Sequence, residues 1–316
     1  MYHQLSQAER YRIPAELKAG LSIRQVADAL GRAPSTISRE LKRNATRHDG
    51  FYRSEKAHKY CVARRRRCRR VPRYTRGDLA EVERLIRRCW SPRQVWGTLR
   101  VVGIPVPSPE TIYRHIRRDK TAGGDLFRST RIMSKKGRKH YRSPHTRGIL
   151  PGKRHISERP PEVEDRLELG HWEGDTVMGR DLRHCLLTLV ERKSGYVIIK
   201  KLRARTKAEV TRAAIRAIGE HARNFKTITF DNGTEFHDYA LLEKRFPIAC
   251  FFATPYHSWE RGSNENCNGL IRQYLPKGMC LSRITQAHCD YIANELNTRP
   301  RERHGFKTPS DVYTSS

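Results

Sequence analysis

The chain has 316 residues, with 64 Lys and Arg against 33 Asp and Glu, so its formal net charge is +31. Such a positive surface favours polyanionic partners. It has no apolar run near the roughly 20 residues of a membrane-spanning helix and no signal-peptide pattern. We therefore expect a soluble protein of the cell interior that has no membrane partner. The eight cysteines form no C-x-x-C pair, and reduced thiols are expected.

Positive charge is concentrated in the first half of the chain. Residues 1–150 hold 37 basic and 12 acidic side chains, a net +25, whereas residues 151–316 have a net charge of +6. Clustered Arg and Lys bind nucleic acid of any sequence because they release counterions from its phosphates. The first half is therefore predicted to dock on DNA. Two very basic stretches, 64–70 and 128–147, are predicted to be linkers along DNA, although a solvated charged face would have the same composition.

Residues 22–42 have the pattern of a helix-turn-helix. Ser22 and Gln25 form a capping box that begins one helix. Gly31 ends that helix, and Pro34 suits the first turn of the next. The second helix would present polar side chains that can contact base edges and phosphates in a major groove. These DNA-binding candidates are Ser35, Thr36, Ser38, Arg39, Lys42 and Arg43.

A similar unit recurs downstream. Ser91 and Gln94 repeat the capping box, and Ser108 with Pro109 starts a further helix from which Thr111 and Arg114 are expected to contact DNA. Either unit could instead be a structural helical hairpin, because short apolar helix pairs are common in small bundles. Ahead of the first unit, Pro14 is expected to kink or end its helix.

From Leu169 the pattern changes to strands. Three β-rich runs predict a three-stranded meander, and a helix, a short strand, a second helix and another short strand follow. A sheet with flanking helices, which is an α/β fold, is the simplest arrangement. The runs of the meander are 169–179, 184–191 and 196–202, and the later elements are 206–222, 228–230, 239–246 and 250–255.

Three carboxylates fall at informative places in this pattern. Asp175 lies in the first strand, Asp231 follows the fourth, and Glu265 lies near the start of a helix, with 55 and then 33 residues between them. Mg²⁺ prefers oxygen ligands, and two such ions can stabilise the attacking and leaving oxygens of a phosphodiester. The residues alone leave another interpretation open, because Asp-Asn-Gly is a common turn and a glutamate at a helix start complements the helix dipole.

The chain resembles transposases of the insertion sequence 30 family, in ordered motifs that cover nearly all of it. The motifs are SIRQVADALGRAPSTISRELKRN, WSPRQV, SPETIYRHI, GHWEGD, TFDNGTEF, YHSWERGSNENCNGLIRQYLPKG and LNTRPR. The resemblance implies a DDE enzyme whose core is similar to ribonuclease H and retroviral integrases. It also implies Asp175, Asp231 and Glu265 as the catalytic residues and as ligands of two Mg²⁺ ions, for which Mn²⁺ can substitute.

The implied fold is multi-domain, with N-terminal all-α helix-turn-helix modules followed by an α/β ribonuclease H-like catalytic core that has a mixed sheet. The expected domains are a first helix-turn-helix domain, a basic linker, a second helix-turn-helix domain, a second basic linker and the catalytic core. Their predicted bounds are 1–50, 51–75, 76–122, 123–160 and 161–316.

The expected activity is binding to the terminal inverted repeats of an insertion sequence, metal-dependent cleavage at the 3′ ends, and strand transfer. Arg261, Arg272 and Lys277 are expected to hold the scissile backbone. The partners would be double-stranded repeat and target DNA and at least one further copy of the chain, in the bacterial cytoplasm at the nucleoid. Two alternatives stay open, a DNA-binding regulator with an inactive core and a ribonuclease H-type nuclease without strand transfer.

Overall fold

The computed structural model describes residues 4–46, 48–68, 74–131, 152–221, 224–255 and 257–315. Most of the basic stretch 128–147 lies outside these residues. The chain divides into two compact units, Met1–Thr75 and Arg76–Ser316. Over the ranges just given, no helix is both long enough and apolar enough to span a bilayer.

The first unit is helical and contains the helix-turn-helix predicted from the sequence. Ser22 and Gln25 form the expected capping box, and Gly31 takes a φ of +61° in the turn. The small core consists of Leu5, Ile13, Val26, Ala27 and Ile37. The helices are α1 (Gln7–Lys18), α2 (Ile23–Ala29), α3 (Pro34–Asn44) and α4 (Ser54–Cys68).

Two features of the first unit differ from expectation. Pro14 lies inside α1 and does not end it, because the fully buried Ile13 and the partly buried Leu17 pack on the core from either side of the proline. Most of the segment predicted as a linker, 51–75, is α4. This helix is held by the buried Ala57 and by Arg64, whose Nη2 donates to Oδ1 of Asn44 at 2.5 Å. A run of arginines is therefore compatible with a packed helix when its other face is apolar.

The second unit begins with a three-helix module. Ser91 and Gln94 form the predicted capping box, and Ile112 and Ile116 are buried as expected. Leu126, in a short 3₁₀ turn, packs into the same core, so the module continues past the predicted bound at residue 122. Its helices are α5 (Arg76–Arg87), α6 (Pro92–Val101) and α7 (Pro109–Thr121).

A five-stranded mixed sheet forms the centre of the rest of the unit. The first three strands form the predicted antiparallel meander, and the fourth strand pairs parallel with the first and with the fifth, which gives the order β3-β2-β1-β4-β5. The strands are β1 (His171–Met178), β2 (Cys185–Glu191), β3 (Val197–Leu202), β4 (Thr227–Phe230) and β5 (Ala249–Phe252).

Helices cover both faces of this sheet, so apolar side chains from alternate strand positions are buried on either side. One core contains Trp172, Phe230 and Phe252, and the other contains Val177, Leu186 and Ile199. The first face is covered by α9 (Lys207–Glu220), α10 (Ala240–Arg245) and α13 (Pro309–Thr314), the second by α11 (Gly262–Tyr274) and α12 (Gln286–Asn297), and α8 (Glu162–Asp165) precedes β1.

Candidate active site

Two aspartates meet just beyond the point where the parallel pairing of β1 with β4 ends. Glu173 of β1 is paired with Thr229 of β4. Asp175 and Asp231 each follow one of these paired residues by two positions. Both side chains are about one-fifth to one-quarter exposed. The carboxyl edge of a sheet with parallel strands is a common place for ligand sites. The fold therefore brings together two carboxylates that have 55 residues between them in sequence.

The guanidinium of Arg261 lies between the two aspartates. Its Nη1 is 3.8 Å from Oδ1 of Asp175, and its Nη2 is 3.8 Å from Oδ2 of Asp231. Burial raises the pKa of Asp175, Asp231 adds to this rise through like-charge repulsion, and Arg261 opposes it. The pair is thus a partly buried anionic site, and the arginine supplies a compensating positive charge.

Helix α11 is fixed to β1 by two polar contacts. Glu173, which is fully buried, accepts a hydrogen bond from the backbone N–H of Asn264 at 2.9 Å and pairs with Arg192 at 2.7 Å. Asn268 donates its Nδ2 to Oδ2 of Asp175 at 2.8 Å. Glu173 is therefore occupied in positioning α11.

Glu265 lies on the helix face that points to the aspartates. It follows Arg261 by four residues and precedes Asn268 by three, and both of these neighbours contact Asp175. Its own side chain is exposed. Among the residues that the structure describes, no three His, Cys, Asp or Glu side chains converge as a metal site. The structure thus brings Asp175 and Asp231 together and places Glu265 on the adjacent helix face without contact.

The donor set fits a hard divalent cation in its chemistry. The two neighbouring aspartates offer oxygen ligands, which Mg²⁺ prefers, and a positive group already lies between them in the form of Arg261. A third carboxylate is available on the facing helix turn at Glu265.

Sequence reasoning missed a second buried carboxylate beside the pair. Glu235, which is 2% exposed, accepts hydrogen bonds from Arg205 Nη2 at 2.6 Å and from Thr176 Oγ1 at 2.9 Å. Its Oε2 is buried and lacks a partner in the described residues. Glu235 lies four residues after Asp231 in the DNGTEF motif, and that proximity is the signal that could have indicated it.

Lys153 is another site residue that the sequence did not indicate. Its Nζ lies 4.1 Å from the ring centroid of Phe252 and is buried without a hydrogen-bond partner in the described part of the chain. Burial lowers the pKa of Lys153, and the charges of Asp231 and Glu235 partly offset this decrease. The residue belongs to the stretch predicted as a basic linker, whose composition hid its position beside the site.

The predicted DNA contacts differ in their surroundings. On α3, the side chains of Ser35, Ser38, Arg39, Lys42 and Arg43 are exposed and that of Thr36 is half-buried. On α7, Arg114 is exposed and Thr111 is half-buried, and Lys277 is exposed after α11. Arg272 instead donates to the carbonyl oxygens of Met178 at 2.9 Å and Leu275 at 3.5 Å, so it ties α11 to the end of β1.

The comparisons with known proteins agree with this architecture. Residues 1–44 match the model of a helix-turn-helix domain, and residues 165–258 match the model of an integrase core domain. The second range includes Asp175 and Asp231 and ends before Glu265.

Two curated relatives are similar over nearly the whole chain. The transposase for insertion sequence element IS4351 of Bacteroides fragilis is 36% identical, over 99% of this chain and 96% of the relative. The transposase InsI for insertion sequence element IS30A of Escherichia coli is 35% identical, over 98% of this chain and 82% of the relative. Among solved structures, the catalytic core domain of BIV integrase is 20% identical with a TM-score of 0.38, over 47% of this chain and 95% of that domain.

Proposed function

Since the chain belongs to the insertion sequence 30 family of transposases, we propose that Asp175, Asp231 and Glu265 form its catalytic triad. The observation that carries this proposal is the proximity of Asp175, within β1, to Asp231, directly after β4, where one guanidinium lies 3.8 Å from each, inside the segment that matches an integrase core domain. Glu265 joins them by a change of its exposed side chain, because it already shares a helix face with Arg261 and Asn268.

The three carboxylates would hold two Mg²⁺ or Mn²⁺ ions. When bound, such ions supply an activated nucleophile and stabilise the leaving oxygen in the displacement at a phosphodiester. Asn268 donates to Asp175 and fixes which of its oxygens remain free for a ligand. Arg261 would leave its position between the aspartates and contact the phosphate backbone instead. The reaction depends mainly on the positioning of groups, since no covalent enzyme intermediate is required.

The helical modules would supply the DNA specificity. The exposed polar side chains of α3 and α7 are of the types that read base edges and phosphates. We propose that they bind the terminal inverted repeats and the target as duplex DNA, and that two ends are handled by at least two copies of the chain. These events would take place on DNA in the bacterial cytoplasm.

The test is the variant Asp231→Asn in full-length protein. It is expected to bind duplex DNA carrying the terminal repeat as the wild type does, and to lose cleavage and joining in Mg²⁺. Asp238→Asn is the matched control, because Asp238 lies seven residues further on, outside the aspartate pair. Cleavage by Asp231→Asn at the wild-type rate would contradict the triad. In the wild type, binding without cutting would indicate a regulator, and cutting that ignores the repeat would indicate a general nuclease.

A further inference from the structure

A cleft separates the three-helix module of residues 76–131 from the C-terminal part of the core. The module is held there by Gln94, whose Nε2 donates to the carbonyl oxygen of Pro300 at 2.8 Å, and by an ion pair between Arg88 and Glu295 at 2.9 Å. Two cavities of about 340 and 280 Å³ lie along this boundary. They share five lining residues, so they form one continuous cleft: Ser91, Gln94, Asn266, Leu270 and Arg301.

This cleft is strongly basic. Arginine side chains reach it from both walls, and Glu302 is the one acidic residue among the described residues that line it. Glu302 is already paired with Arg93 at 2.6 Å. The arginines of the cleft are Arg93, Arg131, Arg299, Arg301 and Arg303.

Three of these arginines form no ion pair with a carboxylate in the described residues, and Glu191 acts on Arg303 only through its more distant charge. In the described residues no carboxylate lies within 4.0 Å of Arg299, Arg301 or Arg303, and their donors reach only neutral acceptors. Arg299, which is 1% exposed, donates to Tyr274 Oη at 2.7 Å and to Gln273 Oε1 at 3.0 Å, while its Nε is buried without a partner. Arg301 Nη2 donates to the carbonyl oxygen of Leu296 at 3.1 Å.

The positive charges of these arginines also repel one another. The pKa of Arg301 is lowered to about 10, mainly by burial, and the positive charges of Arg299 and Arg303 contribute to this decrease. A buried or half-buried cation without a counter-ion has a large desolvation cost. The cluster is thus arranged as a receptor for an anion, and a guanidinium fork suits the oxygens of a phosphate.

We propose that this cleft binds a backbone phosphate of the DNA on which the enzyme acts, an inference that rests on the proposed function. DNA is favoured as the source of the phosphate because of what forms the two walls. One wall is the module that carries α7, with exposed Arg114, Arg117 and Arg118. The other wall includes Ser263, Asn266 and Leu270 of α11, the helix whose opposite face carries Glu265. A strand in contact with the triad passes within about one helix diameter, ~10 Å, of the cleft.

The experiment measures the dissociation constant of full-length protein for a repeat-containing duplex at several salt concentrations between about 50 and 200 mM. The variants are made in an Asp231→Asn background, so that DNA stays intact and the result does not depend on cleavage. Arg301→Gln is expected to decrease the slope of log affinity against log salt by about 0.9, the value for one phosphate contact. Arg301→Lys, which keeps the charge, is expected to retain the wild-type slope.

The matched control is Arg84→Gln, which removes an exposed arginine of the same module that pairs with Glu81 away from the cleft. It should leave the slope unchanged. Thermal unfolding identifies variants that fail to fold. If Arg301→Gln is one of them, Arg303→Gln and Arg131→Gln are measured instead, because Arg303 is exposed and Arg131 contacts the core only through Asn266 among its hydrogen bonds in the described residues.

An unchanged slope in all folded cleft variants would overturn the proposal. Inorganic phosphate, added at constant ionic strength, tests whether the cleft binds a free phosphate instead of a DNA phosphate. If free phosphate raises the melting temperature of the wild type but not of Arg301→Gln, while the DNA slopes are equal, then the cleft is a site for a free anion and the DNA assignment is wrong. Cleavage that survives Asp231→Asn would refute the proposed function, and the slopes are then compared with EDTA present, where metal-dependent cutting does not occur.

Discussion

Helix α11 borders two polar regions of opposite charge. On one face it meets Asp175 and Asp231, two neighbouring carboxylates whose nearest cation is the single guanidinium of Arg261. On the other face it borders the cleft, where three arginines form no ion pair with a carboxylate in the described residues. Carboxylates predominate in the first region and arginines in the second. This difference agrees with the two proposals made above, cations at the carboxylates and a backbone phosphate in the cleft.

The largest expected effect concerns the carboxylate face alone. Glu265→Gln keeps the size of the side chain and removes a proposed metal ligand, so cleavage of repeat DNA should fall on the order of a thousandfold. The salt dependence of DNA binding, which reports on the cleft, should not change. Glu220→Gln, a substitution at an exposed carboxylate paired with Lys200, is the control and should cut normally. Normal cutting by Glu265→Gln would remove this residue from the triad.

A smaller effect is expected from the carboxylate behind the pair. Glu235 is a positioning residue that holds Thr176 and Arg205 beside the site. Glu235→Gln should lower kcat for cleavage about tenfold to a hundredfold, as removal of a partner behind a metal ligand does, with KM for DNA unchanged. Glu235→Asp keeps the charge opposite Arg205 and should recover part of the loss. Equal kcat values for Glu235→Gln and the wild type would show that the contact has no effect on the site.

The next prediction concerns the cleft side, where α6 packs against the C-terminal segment. A side chain at Gly97 would overlap the ring of Phe306, so Gly97→Ala is expected to decrease the free energy of unfolding by about 1 to 3 kcal/mol through overpacking. Gly219→Ala in α9 is the control, because the added methyl group would make only an ordinary van der Waals contact with Phe246. That change should stabilise the protein by about 0.5 to 1 kcal/mol. Denaturant unfolding measures both, and stabilisation by Gly97→Ala would contradict the close docking.

The smallest effect is a dependence of stability on pH. The pKa of Asp175 is raised above its ordinary value of 3.8, so ionising this residue destabilises the fold as pH rises from that value through the raised one. Asp175→Asn should therefore melt at a higher temperature than the wild type at neutral pH, and the difference should close below about pH 4.

Asp181→Asn is expected to change the melting temperature at neutral pH in the opposite direction. The hydrogen bond from His184 lowers the pKa of Asp181, so its ionised form stabilises the fold at neutral pH and this contribution is lost as pH falls through the lowered pKa. That variant should melt lower than the wild type at neutral pH. Melting curves of both variants across the acidic range test these two predictions. Changes in melting temperature of the same sign in both variants at neutral pH would contradict the burial of Asp175.

The sequence predicted the features that depend on neighbours along the chain. The capping boxes at Ser22 and Ser91, the meander and the strand before Asp231 are local patterns, and the structure has all of them. Two expectations were wrong, that Pro14 could end its helix and that residues 51–75 form a linker, because tertiary packing overrides a local helix breaker or a charged run. The cleft was not predictable, because Arg93 and Arg301 come from segments about 200 residues apart in sequence. Glu235 was hidden by its place in a turn.

Because of the contact between Glu173 and Asn264, the active site can be completed only after α11 has been synthesised. The two residues are 91 positions apart, and α11 follows both aspartates in the chain. The first unit, which contains α3, leaves the ribosome roughly 190 residues ahead of Glu265, which at translation rates of about 5 to 20 residues per second is a delay of roughly 10 to 40 s. If α3 binds DNA and the triad cuts it as proposed, we expect a nascent chain to be able to dock on DNA before it can cut.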